Sequence, residues 1–498
     1  MSLHSRSIIR APWYHLGGPG KMAAMRNLLL SLCCGLVVLG MAPEAVAKRH
    51  GALENQINAL LTDKAVAGGR IGVFVGRARG GPPIYSRNAD ERLHPASNTK
   101  LITTAAALSI LGPAYRWQTD LVADEYTAGV ARNLVLVGRG DPRFVSESLW
   151  KMVDDARVRG LTTVTGDVIV DDTWFTRDRM APGFDDKDQD SAYRAATGAM
   201  SLNFNSVSVQ ILPGKKVGDA PRVIPRPDSG FLDIKTTATT SSRGRARLQA
   251  SARKMKDRTR LTISGRIPIK HAGIITRKRI DNPPLYAGYA LAHMLRRAGI
   301  EFKGRVRVGR APSKTRRLVR HWSRPLAQIA GDVNKLSNNF MAEHLVRTLG
   351  RQEGAGDWRT GTKVVSRFLR KEVGLKDFRY VNGSGLFGDT AFTARDMVKV
   401  LRYMHKVSPP MPEFSASLAI GATDGTLRRR VKKAKVGSLR AKTGTLDGVI
   451  CLSGYVVFAD GTPGVFSILM NDVPGRPWKI WALQDQIIEA LLAYSPGR

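Results

Sequence analysis

In the first two thirds of the chain, the pattern of hydrophobic and polar positions predicts a mainly helical segment followed by a β-rich segment. Residues 48–118 begin with apolar positions at helical spacing, followed by a strand over 71–75 and a helix over 97–111 that Gly112 ends. From about 119 to 310, short apolar runs alternate with Gly, Pro and Asp turns. That alternation is typical of β structure.

After about residue 311 the helical pattern returns, with predicted helices over 339–349 and 393–405. The last section predicts strands over 438–445, 450–458 and 465–470, followed by a final helix. The polar face of that helix lacks a basic cluster, which favours a core helix over one lying on a membrane.

The first 47 residues are predicted to be a secretory signal peptide. Four basic residues precede an uncharged run over 28–41, and Ala45-Val46-Ala47 follows as an A-x-A cleavage pattern. A transmembrane anchor is the alternative, but these 14 residues are too few to cross a bilayer comfortably. We therefore expect an exported protein with no integral membrane span after cleavage.

Cysteine and histidine usage indicates neither a disulfide nor a metal site. Cys33 and Cys34 lie inside the apolar run and leave with it, so Cys451 alone remains in the mature chain. The histidines show no metal-ligand spacing. We expect no metal and no cofactor.

The chain is strongly basic, with 78 Lys and Arg against 41 Asp and Glu and a net charge of +37. Such a field favours polyanions, and for an exported protein these are anionic envelope polymers rather than nucleic acid. A proteome rich in arginine is the alternative explanation. Arg243, Arg245 and Arg247 repeat every second residue, which predicts one face of a strand. That face either is simply solvated or binds a polyanion.

Three short motifs occur in a fixed order along the chain. Ser97-Asn98-Thr99-Lys100 is S-x-x-K at a predicted helix start, Ser337-Asn338-Asn339 is S-x-N ahead of a helix, and Lys442-Thr443-Gly444 is K-T-G on a predicted strand. Each tripeptide or tetrapeptide alone is weak evidence. Their combination, each in a suitable structural context, indicates the serine acyl-transfer chemistry of penicillin-binding proteins and class A β-lactamases.

The chemistry explains the spacing. A serine hydroxyl is a weak nucleophile and needs an adjacent base, and Ser97 and Lys100 share one helix face at i and i+3. Lys100 must be neutral to accept a proton, and burial together with a second cation, Lys442, lowers a lysine pKa. We predict that Ser337 relays protons toward the leaving group and that the Asn339 amide holds Lys100 and the substrate backbone.

The K-T-G strand is predicted to bind the substrate. Lys442 and Thr443 are expected to hold a terminal carboxylate, while Gly444 lets a ligand backbone lie close. The strand edge then accepts an extended peptide by strand addition. The backbone N–H groups of Ser97 and Thr445 are candidate donors to the carbonyl oxygen that becomes negative.

The number of residues between the first two motifs distinguishes among the classes of protein that carry all three motifs. Ser97 and Ser337 are 240 residues apart, much farther than in class A β-lactamases, so a module is inserted between them. The chain resembles the class C low-molecular-mass penicillin-binding proteins, the D-alanyl-D-alanine carboxypeptidase/endopeptidases of penicillin-binding protein 4 type, from about residue 50 onward. Further matching stretches are Gly140-Asp141-Pro142, Ser201-Leu202-Asn203-Phe204-Asn205, Asn382-Gly383-Ser384-Gly385-Leu386, Asp424-Gly425-Thr426-Leu427 and Lys442-Thr443-Gly444-Thr445-Leu446. Asn338 departs from the family, which usually has Asp there.

The resemblance implies a mixed α/β fold of the α+β type. Its penicilloyl-serine transferase domain, an antiparallel sheet flanked by helices, would comprise residues 48–118 and 311–498. A β-rich module of two subdomains, 119–310, would be inserted in it. The implied activity is hydrolysis of peptidoglycan stem peptides and cross-links in the periplasm through an acyl-enzyme on Ser97, with covalent binding of β-lactams.

The resemblance also points to a substrate contact in the inserted module. In relatives of this type an acidic residue there approaches the free amine of the third stem residue, a diamino acid. The loop over 175–183 is similar to the corresponding loop and would place Asp178 in that role. The alternative is that Asp178 only balances Arg177 and Arg179 on a solvated loop.

Two other functions remain open from the sequence. A β-lactamase would turn penicillin over rather than trap it, and the long insertion argues against this. A non-catalytic protein that binds cell-wall polyanions would fit the charge, but intact Ser97, Lys100 and Lys442 argue against it.

Overall fold

The computed structural model describes residues 42–184, 190–407 and 410–497. Residues 1–41, which hold most of the predicted signal peptide, lie outside the described residues. The α-helices, labelled α1 to α10 in chain order, are Ala42–Leu60, Thr99–Leu111, Ser146–Val158, Pro283–Arg297, Leu326–Lys335, Asn339–Gln352, Trp358–Phe368, Ala394–Lys406, Pro410–Ser417 and Pro477–Ala493.

The strands are labelled β1 to β22 in the same way. They are Arg70–Arg77, Pro83–Arg87, Gln118–Ala123, Tyr126–Thr127, Val130–Ala131, Leu134–Gly138, Thr163–Val164, Val168–Asp171, Ser206–Leu212, Arg222–Arg226, Leu232–Thr236, Thr239–Ser241, Arg247–Lys254, Thr259–Pro268, Ile274–Arg279, Glu301–Phe302, Val306–Val308, Arg316–Trp322, Ala419–Ile420, Leu439–Leu446, Val449–Val457 and Pro463–Asn471.

A six-stranded antiparallel sheet joins the two ends of the chain. Its order is β19-β20-β21-β22-β1-β2. Strand β1 pairs along its whole length with β22, so that Arg70 lies opposite Asn471 and Arg77 opposite Gly464. The segments before and after the insertion therefore close into one domain.

Helices cover both faces of this sheet because the strands bury apolar side chains in both directions. Val73 and Val75 of β1 belong to a core shared with α1 and α10. Phe74, between them, points to the opposite face and packs with α2, α5, α6 and α8. Successive strand residues face opposite sides, so this near-continuous apolar run needs cover on both. The predicted fold class, an antiparallel sheet flanked by helices, is confirmed in this domain.

The inserted module contains several small sheets, whose buried residues form one large hydrophobic cluster and one small one. A five-stranded mixed sheet, β17-β8-β6-β3-β18, packs with α3 and α4, and a four-stranded sheet, β16-β7-β5-β4, lies at its end. A three-stranded sheet, β10-β9-β15, and a four-stranded sheet in which β14 pairs with β11, β12 and β13 complete the module. Buried residues from all of these regions, such as Leu121, Val209 and Leu261, form one hydrophobic cluster.

Strand pairing with the inserted region continues past residue 310, where the module was predicted to end. Strand β18, Arg316–Trp322, pairs with β3, and Trp322 lies opposite Gln118. The chain leaves these paired strands only after Trp322. The pattern of hydrophobic residues did not indicate β18, because an edge strand rich in arginine lacks the alternation of apolar and polar residues that marks a half-buried strand.

The predicted arginine face is also wrong in part. Arg243 and Arg245 lie in the turn between β12 and β13, on either side of Gly244, whose φ is +103°. Only Arg247 lies on a strand, where it opens β13 opposite Arg266. A period of two therefore marked an exposed turn rather than one strand face.

Within the described ranges, no helix combines the length and apolar character that a bilayer span requires. The same part of the chain shows no group of three or more His, Cys, Asp or Glu side chains arranged to hold a metal ion.

Candidate active site

The first motif lies where a short turn enters α2. Ser97 belongs to the 3₁₀ turn Ala96–Asn98, and Lys100 lies in the first turn of the α-helix that follows. The Lys100 Nζ atom is 2.8 Å from the Ser97 Oγ atom. Lys100 is completely buried, whereas Ser97 is partly exposed. A substrate can therefore reach the hydroxyl but not the amine behind it.

Three oxygen atoms surround the amine of Lys100. Its Nζ atom donates to the Ser97 Oγ atom at 2.8 Å, to the Asn339 Oδ1 atom at 2.7 Å and to the Ser384 carbonyl oxygen at 2.8 Å. The last two oxygens can only accept, whereas the Ser97 hydroxyl can also donate, so the neutral amine can accept the Ser97 proton without moving. Burial, and next the charge of Lys442, hold the pKa of Lys100 well below its usual range.

The second motif lies between α5 and α6. Ser337 adopts a left-handed φ of +56°, and Asn339 begins α6. Asn338 caps that helix, because its side-chain oxygen accepts from the Met341 N–H at 3.0 Å. Asn338 therefore still caps the helix, although the family usually has Asp at this position. The Asn339 amide nitrogen donates to the Tyr193 carbonyl oxygen at 3.1 Å, which orients its oxygen toward Lys100.

The third motif lies on β20, whose side chains alternate between two surroundings. Lys442 is completely buried, and its Nζ atom lies 2.9 Å from the Ser337 Oγ atom. Burial lowers the pKa of Lys442 to about 7. The Asn98 amide bridges the first and third motifs, since its nitrogen donates to the Lys442 carbonyl oxygen at 2.8 Å and its oxygen accepts from the Ser453 hydroxyl.

Gly444 is required by close packing inside the protein. A Cβ atom at this position would lie 2.9 Å from the Pro95 carbonyl oxygen and 3.0 Å from the Ala96 Cβ atom. The glycine therefore lets β20 lie against the segment that carries Ser97. A side chain at this position would point toward the protein interior, and the approach of a ligand backbone to Gly444 stays a prediction.

Strand β20 offers a free edge beside Ser97. In the described part of the chain, β19 pairs only with Arg440 and Ala441, so the outer edge of β20 lacks a strand partner from Lys442 onward. Thr445 is exposed, and the Thr443 Oγ1 atom lies 2.8 Å from the Thr426 Oγ1 atom. The matching stretch around Thr426 thus lines the same edge.

Sequence analysis missed a buried carboxylate on α6. Glu343 lies one turn beyond Asn339, is fully buried, and accepts from the backbone N–H groups of Gly383 and Ser384. The Ser384 carbonyl is the one that accepts from Lys100. The available signal was an acidic residue on the same helix stripe as Asn339, four positions later.

A buried arginine one turn further attaches the inserted module to α6. Arg347 donates to the carbonyl oxygens of Thr176 and Asp178 at 2.7 and 2.9 Å, and to the Thr197 hydroxyl at 2.7 Å. Its guanidinium lies 4.5 Å from the centroid of the Phe175 ring. The predicted recognition loop is therefore held on the helix that carries Asn339.

Within that loop Asp178 is exposed. Arg179 forms an ion pair with Asp172, so it is engaged away from Asp178. The end of the loop reaches the active-site turn, because the Asn382 side chain donates to the Pro182 carbonyl oxygen at 2.9 Å. The loop thus contacts the 382–388 segment, which includes Ser384.

Comparison with known protein families assigns the chain that carries this site to one of them. The family model of the D-Ala-D-Ala carboxypeptidase 3 (S13) family matches residues 53–487. The chain belongs to that family. A D-alanyl-D-alanine carboxypeptidase of Actinomadura sp. (strain R39) is 33% identical to this S13 member over 503 aligned positions, covering 96% of this chain and 91% of the relative.

Solved structures support the same fold for this S13 member. The crystal structure of penicillin binding protein 4 (dacB) from Haemophilus influenzae superposes with a TM-score of 0.76 at 22% identity, covering 88% of this chain and 99% of that one. A second structure of the same protein, complexed with a β-lactam, superposes with a TM-score of 0.71 at 21% identity, covering 87% and 98%. The predicted family, fold class and enzyme class, a serine D-Ala-D-Ala carboxypeptidase, are confirmed.

Proposed function

We propose that this protein hydrolyses the D-Ala-D-Ala ends and the cross-links of peptidoglycan stem peptides through an acyl-enzyme on Ser97. The observation that carries the proposal is the buried amine of Lys100. Its Nζ atom lies 2.8 Å from the Ser97 Oγ atom, and the Asn339 and Ser384 oxygens provide acceptors for the two hydrogens of the neutral amine. This is the arrangement that a base needs to activate a serine.

Acylation then proceeds as a proton transfer coupled to attack. Lys100 takes the hydroxyl proton while the Ser97 Oγ atom bonds to the carbonyl carbon of the penultimate D-Ala. The backbone N–H groups of Ser97 and Thr445 are the donors proposed for the oxyanion. The close packing of Gly444 on Pro95 and Ala96 supports this, because it brings β20 beside the serine.

The leaving amine needs a proton as the peptide bond breaks. Ser337, whose hydroxyl lies 2.9 Å from the Lys442 Nζ atom, is proposed to relay to the leaving amine the proton that Lys100 took from Ser97, which returns Lys100 to its neutral form. Water then attacks the acyl carbon while Lys100 takes the water's proton. As the acyl bond breaks, Lys100 passes that proton to the Ser97 Oγ atom and the shortened stem peptide leaves.

The strand edge and Lys442 are proposed to hold the substrate. An extended stem peptide would add to the open edge of β20, with its terminal carboxylate near Lys442 and Thr443. In a cross-link, the amine released from the scissile bond belongs to a second stem peptide rather than to a free D-Ala. β-Lactams, which acylate the same serine, are the proposed inhibitors, as supported by the β-lactam complex of the Haemophilus influenzae structure.

The location and domain limits are proposals of the same kind. The basic leader with its A-x-A site supports export to the periplasm. We propose a catalytic domain that begins near residue 48 and resumes after β18, and a module of two subdomains between its two parts. Pairing of β18 with β3 supports the later end of the module.

Anionic envelope polymers are proposed as a second partner. Arg247 and Arg266 lie directly opposite each other on β13 and β14, and Arg243 and Arg245 occupy the adjacent turn. All four are exposed. Like charges opposite each other destabilise a strand pair, so a bound polyanion would stabilise this end of the hairpin.

Ser97 is predicted to carry the acyl group. Mass spectrometry of the protein with penicillin over time should show a stable adduct, and peptide mapping should place it on the peptide containing Ser97. A short-lived adduct would favour a β-lactamase, and no adduct would favour a non-catalytic binder. Labelling that survives Ser97→Ala would contradict the assignment.

Lys100→Ala and Lys442→Ala should separate chemistry from binding. Loss of the base should lower the acylation rate about 10²–10⁴-fold. Lys442→Ala should mainly raise KM for a peptide with a free terminal carboxylate. Because acylation needs neutral Lys100 and carboxylate binding needs protonated Lys442, kcat/KM should fall both at acid pH and above the Lys442 pKa of about 7. Lys363→Ala, exposed on α7, is the control, and a Lys100→Ala enzyme of wild-type speed would refute the assignment.

Asp178→Asn should discriminate between two stem peptides. An exposed carboxylate can pair with the free amine of the diamino acid, and acetylation of that amine removes the pairing. We expect kcat/KM to fall only for the free-amine peptide, while Asp257→Asn, an exposed position in the same module, changes neither. An equal effect on both peptides would show that Asp178 does not recognise the amine and is only a surface residue.

Charge reversal at Arg243, Arg245 and Arg247 should weaken retention on purified sacculi. The salt dependence of retention should fall with it, because fewer counterions are exchanged. Penicillin acylation should stay unchanged. Reversal at Arg428, Arg429 and Lys432, also exposed, is the matched control, and equal retention in both variants would show that the turn has no special role.

A further inference from the structure

Helix α6 carries three polar side chains along one stripe. Asn339, Glu343 and Arg347 follow at intervals of four residues and therefore face the same side. Glu343 and Arg347 have no exposed surface. Arg347 is used to hold the inserted module, and Asn339 contacts Lys100. Glu343 lies between them, and the proposed mechanism gives it no role.

The carboxylate of Glu343 clamps the turn that faces Lys100. Its Oε1 atom accepts from the Ser384 N–H at 2.8 Å, and its Oε2 atom accepts from the Gly383 N–H at 3.0 Å and the Trp358 indole N–H at 2.8 Å. The carbonyl of the same Ser384 accepts from Lys100 at 2.8 Å. A single residue therefore separates the carboxylate from the amine.

Few charged or titratable groups surround this pair. Lys442 lies on the β20 side of Lys100, and the Tyr380 hydroxyl is bonded to Thr103 of α2 at 2.8 Å. Arg347 lies 4.5 Å from the Trp358 ring. Burial raises the pKa of Glu343, while hydrogen bonds from the Ser384 side chain and from the N–H groups of Gly383, Trp358 and Ser384 act in the opposite direction. The charge of Glu343 in turn raises the pKa of Lys100 against the effects of burial and Lys442.

We propose that Glu343 is a positioning residue that fixes the Ser384 carbonyl against Lys100 and supplies the negative charge facing that amine. It touches neither Ser97 nor the substrate edge and acts through Ser384. The role requires a carboxylate because the N–H groups of Gly383, Ser384 and Trp358 all donate to it. A glutamine would offer one oxygen and one NH₂ group, so its nitrogen would face an N–H and one clamp would break.

The proposal rests on the proposed function and is tested by acylation kinetics with penicillin in the full-length protein. Glu343→Gln should lower the acylation rate constant about 10- to 100-fold, the range expected when a charge-assisted hydrogen bond is lost. The acid limb of its pH profile should move to lower pH, because the charge that favours the ammonium form of Lys100 is gone. Glu353→Gln, exposed at the end of the same helix, should change neither quantity.

A second variant keeps the test decisive if Glu343→Gln does not fold. Trp358→Phe keeps an aromatic ring beside Arg347 but removes one donor from the carboxylate. It should shift the acid limb in the same direction by a smaller amount. Thermal unfolding and titration of active sites with penicillin should accompany both variants.

The outcomes separate this proposal from the proposed function. If the wild-type protein forms no adduct on Ser97, the proposed function fails. If the wild type forms the adduct and the variants match its rate constant and pH profile, the role of Glu343 fails instead. A smaller fraction of active protein with an unchanged rate constant and pH profile would show a merely structural residue and would equally overturn the proposal.

Discussion

The site depends on keeping one lysine buried without leaving it unsatisfied. An isolated ammonium ion inside a protein is strongly disfavoured, so burial pushes Lys100 toward the neutral amine. Asn339 and Ser384 offer acceptors for the hydrogens of this amine, and its Nζ atom lies 2.8 Å from the Ser97 Oγ atom. The same burial that costs stability therefore favours the neutral form that the proposed base requires. The second buried lysine, Lys442, reinforces this shift and remains close to Ser337.

This requirement explains why α6 is central to the molecule. The helix contributes Asn339 to the lysine, Glu343 to the turn that carries Ser384, and Arg347 to the loop of the inserted module. Phe340 adds a ring contact to Phe204, which lies in a left-handed stretch of the module. The module is thus packed on the helix that orients the base.

The opposite wall of the site is a strand held at close range. Gly444 allows β20 to lie on the segment before Ser97, and the Asn98 amide joins the two backbones. One edge of β20 is occupied by β21, while among the residues that the structure describes no strand pairs with the other edge beyond Ala441. The strand consequently serves two purposes, since its inward side completes the core and its outer edge faces solvent beside the serine.

Local features of this protein follow from the sequence alone. The spacing of Ser97 and Lys100 places both on one helix face, and Asn338 caps α6 through a hydrogen bond to a residue three positions later. Both depend only on helix geometry over a few residues. The order of the three motifs also indicated the family and the existence of an insertion.

Only the tertiary structure decided which distant groups meet. Nothing in the local pattern of Glu343 indicates that it holds Ser384 opposite Lys100, because that contact depends on how α6 packs on a remote turn. Period two placed Arg243 and Arg245 on a strand, although a turn shows the same spacing when both residues are exposed. Strand β18 pairs with β3 because the pairing satisfies its backbone hydrogen-bonding groups. The side chains of β18 alone do not indicate this pairing. Sequence determines contacts whose geometry the covalent chain sets over one helical turn, whereas long-range pairing is set by the burial of the whole fold.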